Sequence, residues 1–337
     1  MANLNTSFMG INLRNPLIIG ASTLTYELED AKKIEDAGAA AIVFKSLFEE
    51  QILLEKLQLQ EFSDEYSDRN AEMITIFPKF EHAGAKAHLN KLENLKKNLK
   101  IPIFASLNAL SLEAWVKYAK KIEEAGVDGI ELNFYSVPTD INANSQQIEK
   151  NHLEIIKAVK NEISIPISVK LSFFYSNILN VVNEMTNAGA KGFILFNRLF
   201  QPEIDIKKQE YIYPVQVSGE NESKIPLRWT GIISGNVNAD ICSSNGIYNA
   251  SDAIKMILSG ASCFQAVSTF YKNGIKHISK IISEINSWMD ENNYNDISQF
   301  KGKLSKKSVG DPFFYERSQY INILLNNEII IKKYFMI

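Results

Sequence analysis

The stretch DAKKIEDAGAAAIVFKS, residues 30–46, decides the fold. Its first half is amphipathic, with Ala31 and Ile34 set among charged residues at helical spacing. Gly38 stops that helix, because glycine enters the left-handed region beyond a helix end at no steric cost. The run that follows, AIVF, is apolar without alternation, as in a strand buried on both faces. The same sequence of events recurs at Ala125-Gly126-Val127 before GIELN, at Ala188-Gly189-Ala190 before GFILFN, and at Ser259-Gly260-Ala261 before CFQAVS.

Four more apolar runs lie between these copies: PLIIGAS (16–22), IPIFASL (101–107), IPISVKL (165–171) and TGIISGN (230–236). Eight buried strands separated mostly by helical segments predict an α/β chain of the (β/α)8 TIM-barrel class. An open doubly wound sheet fits less well, since no GxGxxG follows the first strand. Two connections exceed ordinary βα loops: about Leu47 to Lys100, with the polar EFSDEYSDRN (61–70), and Arg198 to Trp229. Both leave the C-terminal ends of strands, two and six, where this fold carries its sites. From Gly274 onward the sequence reads as a helix, a turn, a short helix and a tail, so 274–337 is expected as a helical extension of one 1–337 domain.

At 337 residues the chain can bury a large core, and 45% hydrophobic with 22% charged residues is ordinary globular composition. A net charge of −3 gives no global field toward nucleic acid or anionic lipid. The two cysteines, Cys242 and Cys263, form no CxxC pair, which leaves two buried thiols as the expectation and no metal site. The N-terminus lacks a signal-peptide pattern and no run is long enough to span a membrane, so a cytoplasmic location is expected.

Polar residues recur where the strands end. They are Ala21-Ser22, Lys45-Ser46, Ser106 with Asn108, Glu131 with Asn133 and Ser136, Lys170 with Ser172, Asn197, Ser234-Gly235, and Gln265 with Ser268-Thr269. Such a ring is costly to bury without partners. Two lysines at matching strand ends, Lys45 and Lys170, suit an anion or an electron-rich ring; the plain alternative is that each reaches past the rim to water. SSNGIYNASDAI places an Asn-Gly turn before a helix capped by Asn249 or Ser251, and QAVSTFYKNG places Ser268 and Thr269 at a strand-to-helix turn. Phosphate sites of this fold use those two loops, although ordinary turn and cap chemistry has the same look.

NPLIIGAS, IVFKS, IELNFYS, VKLS, FN, GIISG, NGI and QAVSTF stand in the order and spacing of the dihydroorotate dehydrogenases. From residue 4 to about 290 the chain resembles that family, with LRW (227–229) pointing to its dehydrogenase-like branch. The resemblance implies non-covalent FMN and oxidation of dihydroorotate to orotate in pyrimidine synthesis. It implies flavin contacts from Ala21, Ser22, Lys45, Ser46, Ser106, Asn133, Asn197 and Lys170, the last near flavin N1 and O2. Lys45, Asn133 and Asn197 would also face substrate; Ser234-Gly235, Asn245-Gly246 and Val267-Ser268 match ribityl and phosphate loops; Ser136 takes the place of the catalytic base, and Lys45, the lysine near flavin and substrate, is the other catalytic candidate.

The chain departs from the family at Ser136-Val137-Pro138, where Ser/Cys-Pro-Asn is usual, and in EMITIFPKF (72–80), which lacks the expected substrate asparagines. Asn245 and Val267 replace phosphate-loop glycines. A serine base needs a helper, for which Tyr135, Tyr175 and Asp140 are candidates. The implied partner is a small-molecule substrate; the electron acceptor stays open, as does a homodimer. Three other readings remain: a flavin enzyme for another small substrate, a lyase using Lys45 or Lys170 as a Schiff-base amine, and a barrel that binds without catalysis.

Overall fold

A computed structural model describes residues 2–54, 83–135, 137–198, 201–212 and 217–325. Eight parallel strands close into a barrel. They are β1 (Leu17–Ile19), β2 (Ala41–Phe48), β3 (Ile103–Asn108), β4 (Gly129–Asn133), β5 (Ile167–Leu171), β6 (Gly192–Leu195), β7 (Asp240–Ser244) and β8 (Cys263–Ala266). Helices α1 (Leu28–Asp36), α2 (Ala83–Asn98), α3 (Leu112–Glu124), α4 (Ser145–Glu162), α5 (Ile178–Ala188), α6 (Lys224–Ile233) and α7 (Ala250–Ser259) each follow their strand. After β8 come α8 (Ser268–Asn273) and α9 (His277–Glu291), then α10 (Ser318–Leu325). In the deciding stretch, Ala31 and Ile34 are the buried face of α1, and Gly38 leaves it at φ 107°.

One strand is misplaced by the sequence reading. TGIISGN is no strand: Thr230–Ile233 is the last turn of α6, with Pro226, Thr230, Gly231 and Ile233 as its buried face. The seventh strand is DICSS, ten residues further on. The correction moves Ser234 and Gly235 away from the strand C-termini. Ser234 sits against Gly260, which ends α7 on the side where β8 begins, and the Gly235 carbonyl accepts from Lys307 Nζ at 2.6 Å. Neither lies at the mouth that the strand C-termini form.

The N-terminal end of the barrel is stopped from below. Thr6–Phe8 and Ile11–Leu13 form a hairpin whose Phe8, Met9 and Leu13 pack with Ile18, Val43, Phe104, Ile194, Cys242 and Cys263. Met9 N–H is fixed by the Asp240 carboxylate at 2.8 Å. Gly192 is the residue that admits the plug, since a Cβ there would lie 2.7 Å from Phe8. Both cysteines are free and buried within this layer, and burial pushes the Cys263 thiol up. Above this apolar layer the interior turns polar.

In the described parts of the long connection after β6, Glu203–Asp205 pairs with Glu210–Ile212, a 3-10 turn covers Glu220–Ser223, and α6 starts at once. The middle of the connection after β2, including EFSDEYSDRN and EMITIFPKF, lies outside the described residues. No helix among the described residues is long and apolar enough to cross a membrane.

Candidate active site

The register of the barrel brings the polar strand ends to one mouth. Asn133 lies opposite Lys170, Glu131 opposite Ser168 and Ser106, and Gln265 opposite Ser244. At the rim the Asn197 side chain donates to Asn133 Oδ1 at 2.6 Å, and Asn108 donates to the Asn133 carbonyl at 2.6 Å. One layer deeper Gln265 links two charged groups. Its Nε2 donates to Glu131 Oε2 at 2.7 Å, and its Oε1 accepts from Lys170 Nζ at 3.2 Å. Glu131 Oε1 accepts no hydrogen bond and faces the Lys170 ammonium at 3.6 Å. The Glu131 side chain is 1% exposed and that of Lys170 12%, so Lys170 does not escape to water.

A bulge in β2 sets its two candidates apart. Between Phe44 and Leu47 the register with β3 shifts, so Lys45 and Ser46 together face Ser106. A bulge of this kind re-aims side chains. Ser46 turns inward and shares a hydrogen bond of 2.8 Å with Ser106. The Lys45 ammonium lies over the Tyr26 ring, 5.1 Å from its centroid, on the β1 side. Beside it, His88 is pushed down to about 4, first by burial and then by the Lys45 charge.

Two loops form an anion-suited flank. Asn245 has φ 76° and Gly246 φ 67°, so the Asn accepts the left-handed geometry that the missing glycine would have taken. Successive residues turned this way present their N–H groups to one side. Val267 keeps φ −137°, which any residue adopts, and its side chain fills the space over Gly20, where a Cβ would meet it at 2.9 Å. Ala21 and Ser22 follow directly, the Ser22 hydroxyl donating to the Gly20 carbonyl at 3.1 Å. Asn249, not Ser251, caps α7, accepting from Asp252 N–H at 3.0 Å. Asn249→Ala is expected to cost about 1 kcal/mol, read as a lower urea midpoint at unchanged slope.

Ser218 and Gly219, absent from the sequence-based set, complete this flank. Ser218 N–H and hydroxyl both reach Ser268 Oγ, at 3.0 and 2.8 Å, and the Ser218 carbonyl accepts from Tyr248. A Cβ on Gly246 would lie 2.3 Å from Ser223 N, so the two loops touch backbone to backbone. The available signal was a small Ser-Gly pair before Glu222, whose carboxylate caps Gly219 N–H at 2.8 Å.

Ser136 lies outside the described residues. Its neighbours Val137 and Pro138 border a cavity of about 300 Å³ between the β4 and β5 loops, with His152 and Tyr175 on its wall. The Tyr175 hydroxyl meets His152 Nδ1 at 3.3 Å, and His152 stacks on Phe134 at 4.3 Å. Asp140 instead accepts from Asn142 in an exposed turn. Burial pushes His152 down to about 4 and Tyr175 up.

His88 and His152 stay neutral when folded but protonate near pH 6.5 when unfolded. The unfolded chain therefore binds more protons below that pH, and stability falls as pH drops from about 6.5 toward 4, by at most about 1.4 kcal/mol per pH unit per histidine. Melting temperatures across that range should slope less in His152→Phe; an unchanged slope would refute the assignment.

A parallel eight-stranded barrel with its charged and amide groups gathered at the strand C-termini is the frame of a (β/α)8 enzyme with its candidate site at that mouth. The chain belongs to the dihydroorotate dehydrogenase family, whose model matches residues 3–289. It is 27% identical to the catalytic subunit of dihydroorotate dehydrogenase B (NAD(+)) from Thermoplasma volcanium, over 91% of this chain and 100% of the relative. It is 25% identical to the protein of the same name from Methanocaldococcus jannaschii, over 86% and 94%, and 25% to that of Bacillus mycoides, over 91% and 99%.

Proposed function

We propose that this chain is an FMN-dependent oxidoreductase that takes two electrons from dihydroorotate, forming orotate. The observation that carries the reading is the meeting of Lys170, Asn133 and Asn197 at the C-terminal mouth of a barrel from this family. The donor set fits a flavin: amide and ammonium groups suit the polar edge of its ring system, and the left-handed Asn245-Gly246 pair suits a phosphate. Asn245, Gly246, Val267 and Ser268 would hold the phosphate, with Ser218 and Gly219 opposite. Ala21, Ser22, Lys45, Ser46, Ser106, Asn133, Lys170 and Asn197 would surround the ring system.

When bound, FMN supplies a two-electron acceptor whose reduced form carries negative charge. Lys170, held from below by Gln265 and Glu131, would place a fixed positive charge against it. Asn133 and Asn197 orient each other and leave their remaining amide groups for flavin and substrate. Ser136 is the proposed base for the proton on the substrate carbon, and Lys45 is the second catalytic candidate. The relatives are catalytic subunits of NAD(+)-type dihydroorotate dehydrogenases, which makes NAD+ the first acceptor to test, with this chain as a catalytic subunit.

A second reading keeps the flavin and changes the substrate. It rests on Val137-Pro138, where the family's substrate-binding asparagine is missing and Val137 is 65% exposed. One experiment separates the readings: the visible spectrum of the purified protein, followed by anaerobic titration with dihydroorotate. Yellow protein bleached by dihydroorotate supports the first reading. Yellow protein that dihydroorotate leaves unchanged supports the second, and colourless protein that takes up no FMN overturns both.

A further inference from the structure

Glu131 is the most buried charged group among the described residues, and it touches the proposed chemistry only through Lys170. It lies at the centre of the barrel, between the apolar layer above the hairpin plug and the rim asparagines. A carboxylate so placed is costly unless paired. Its pairing is incomplete: Oε2 is held by Gln265, but Oε1 has only the Lys170 ammonium, at 3.6 Å and without a hydrogen bond. Gln265 occupies the better position on that ammonium, at 3.2 Å. Lys170 is thus drawn downward by one amide and one incompletely satisfied carboxylate.

From this arrangement we infer that Glu131 is a positioning residue that sets the reduction potential of a flavin at the mouth by withholding part of the charge of Lys170. The inference rests on the flavin reading of the same mouth. A reduced, anionic flavin and Glu131 would compete for one ammonium. Taking the charge off Glu131 leaves Lys170 to the flavin alone and stabilises the reduced form. Gln265 acts in the opposite sense. Its Nε2 satisfies Glu131 and its Oε1 holds Lys170 off the carboxylate, so without it the two charges close on each other.

The experiment measures the midpoint potential of bound FMN in the full chain, by equilibration with reference dyes, for wild type, Glu131→Gln and Gln265→Met. Glu131→Gln is expected to favour reduced flavin by about tenfold, a rise of about 30 mV for a two-electron couple. Gln265→Met is expected to move the potential the other way. In a Lys170→Met background, Glu131→Gln should no longer raise it. Unchanged potentials, shifts of the same sign in both variants, or a rise that persists without Lys170 would overturn the inference. If Glu131→Gln does not fold, the direction of the Gln265→Met shift decides alone: a fall supports the inference, and a rise or no change overturns it. Wild-type protein without flavin would instead defeat the cofactor reading.

Discussion

Lys170→Met is expected to slow anaerobic reduction of bound flavin by dihydroorotate by about 10²–10³-fold, the range for losing one fixed charge-stabilising donor. The same substitution is expected to lower stability, because Glu131 loses its cation while it stays 1% exposed. Breaking a buried pair from one side costs about 3–5 kcal/mol. Rate and stability therefore have to be separated. Adding Glu131→Gln to Lys170→Met removes the stranded charge and keeps the bond to Gln265, so the melting temperature should recover most of its loss while reduction stays slow. Recovery of both together would mean that Lys170 serves only the fold. Stopped-flow reduction and thermal unfolding on the same preparations give the answer.

Gly246→Ala is expected to destabilise the chain by about 3 kcal/mol or more and to release the cofactor. A left-handed residue with a side chain costs about 1–2 kcal/mol by itself. Here φ is 67°, and the new Cβ would lie 2.3 Å from Ser223 N, 2.9 Å from the Glu222 carbonyl carbon and 3.0 Å from the Gly219 oxygen. These are backbone atoms, so no rotamer change relieves the contact. The 218–223 segment has to move, and Ser218 then leaves Ser268. Urea unfolding and the FMN retained after gel filtration measure the two effects. Native stability with full retention would show that the two loops do not meet as described.

The repeat of helix, glycine and apolar run was legible because each strand it announces is buried on both faces. The strand it missed explains the limit. Asp240–Ser244 has only Ile241 and Cys242 as apolar members, and its serines are buried on hydrogen bonds such as Ser243 to Thr230 at 2.7 Å. The competing run, TGIIS, is as apolar as a strand, but its periodicity continues the helix begun at Lys224. Short apolar runs do not distinguish these two cases. Placing Ser234 and Gly235 in the site followed from that one error.

Asn133, Lys170 and Asn197 do lie at one mouth, since the C-terminal ends of parallel strands share a face whatever the loops do. What sequence did not reveal was pairing. Gln265 and Glu131 were visible as polar strand ends, but only the register of β4, β5 and β8 shows that they hold Lys170. The same holds for Ser218, fifty residues from the serine it meets.

The hairpin of Phe8, Met9 and Leu13 has a bearing on traffic. With the floor sealed by packed hydrocarbon, the lower end of the barrel gives no second door for the recipient of electrons. Where donor and recipient both use the mouth, each must depart before the next can enter. Turnover should then alternate, and double-reciprocal plots at several recipient concentrations should run parallel.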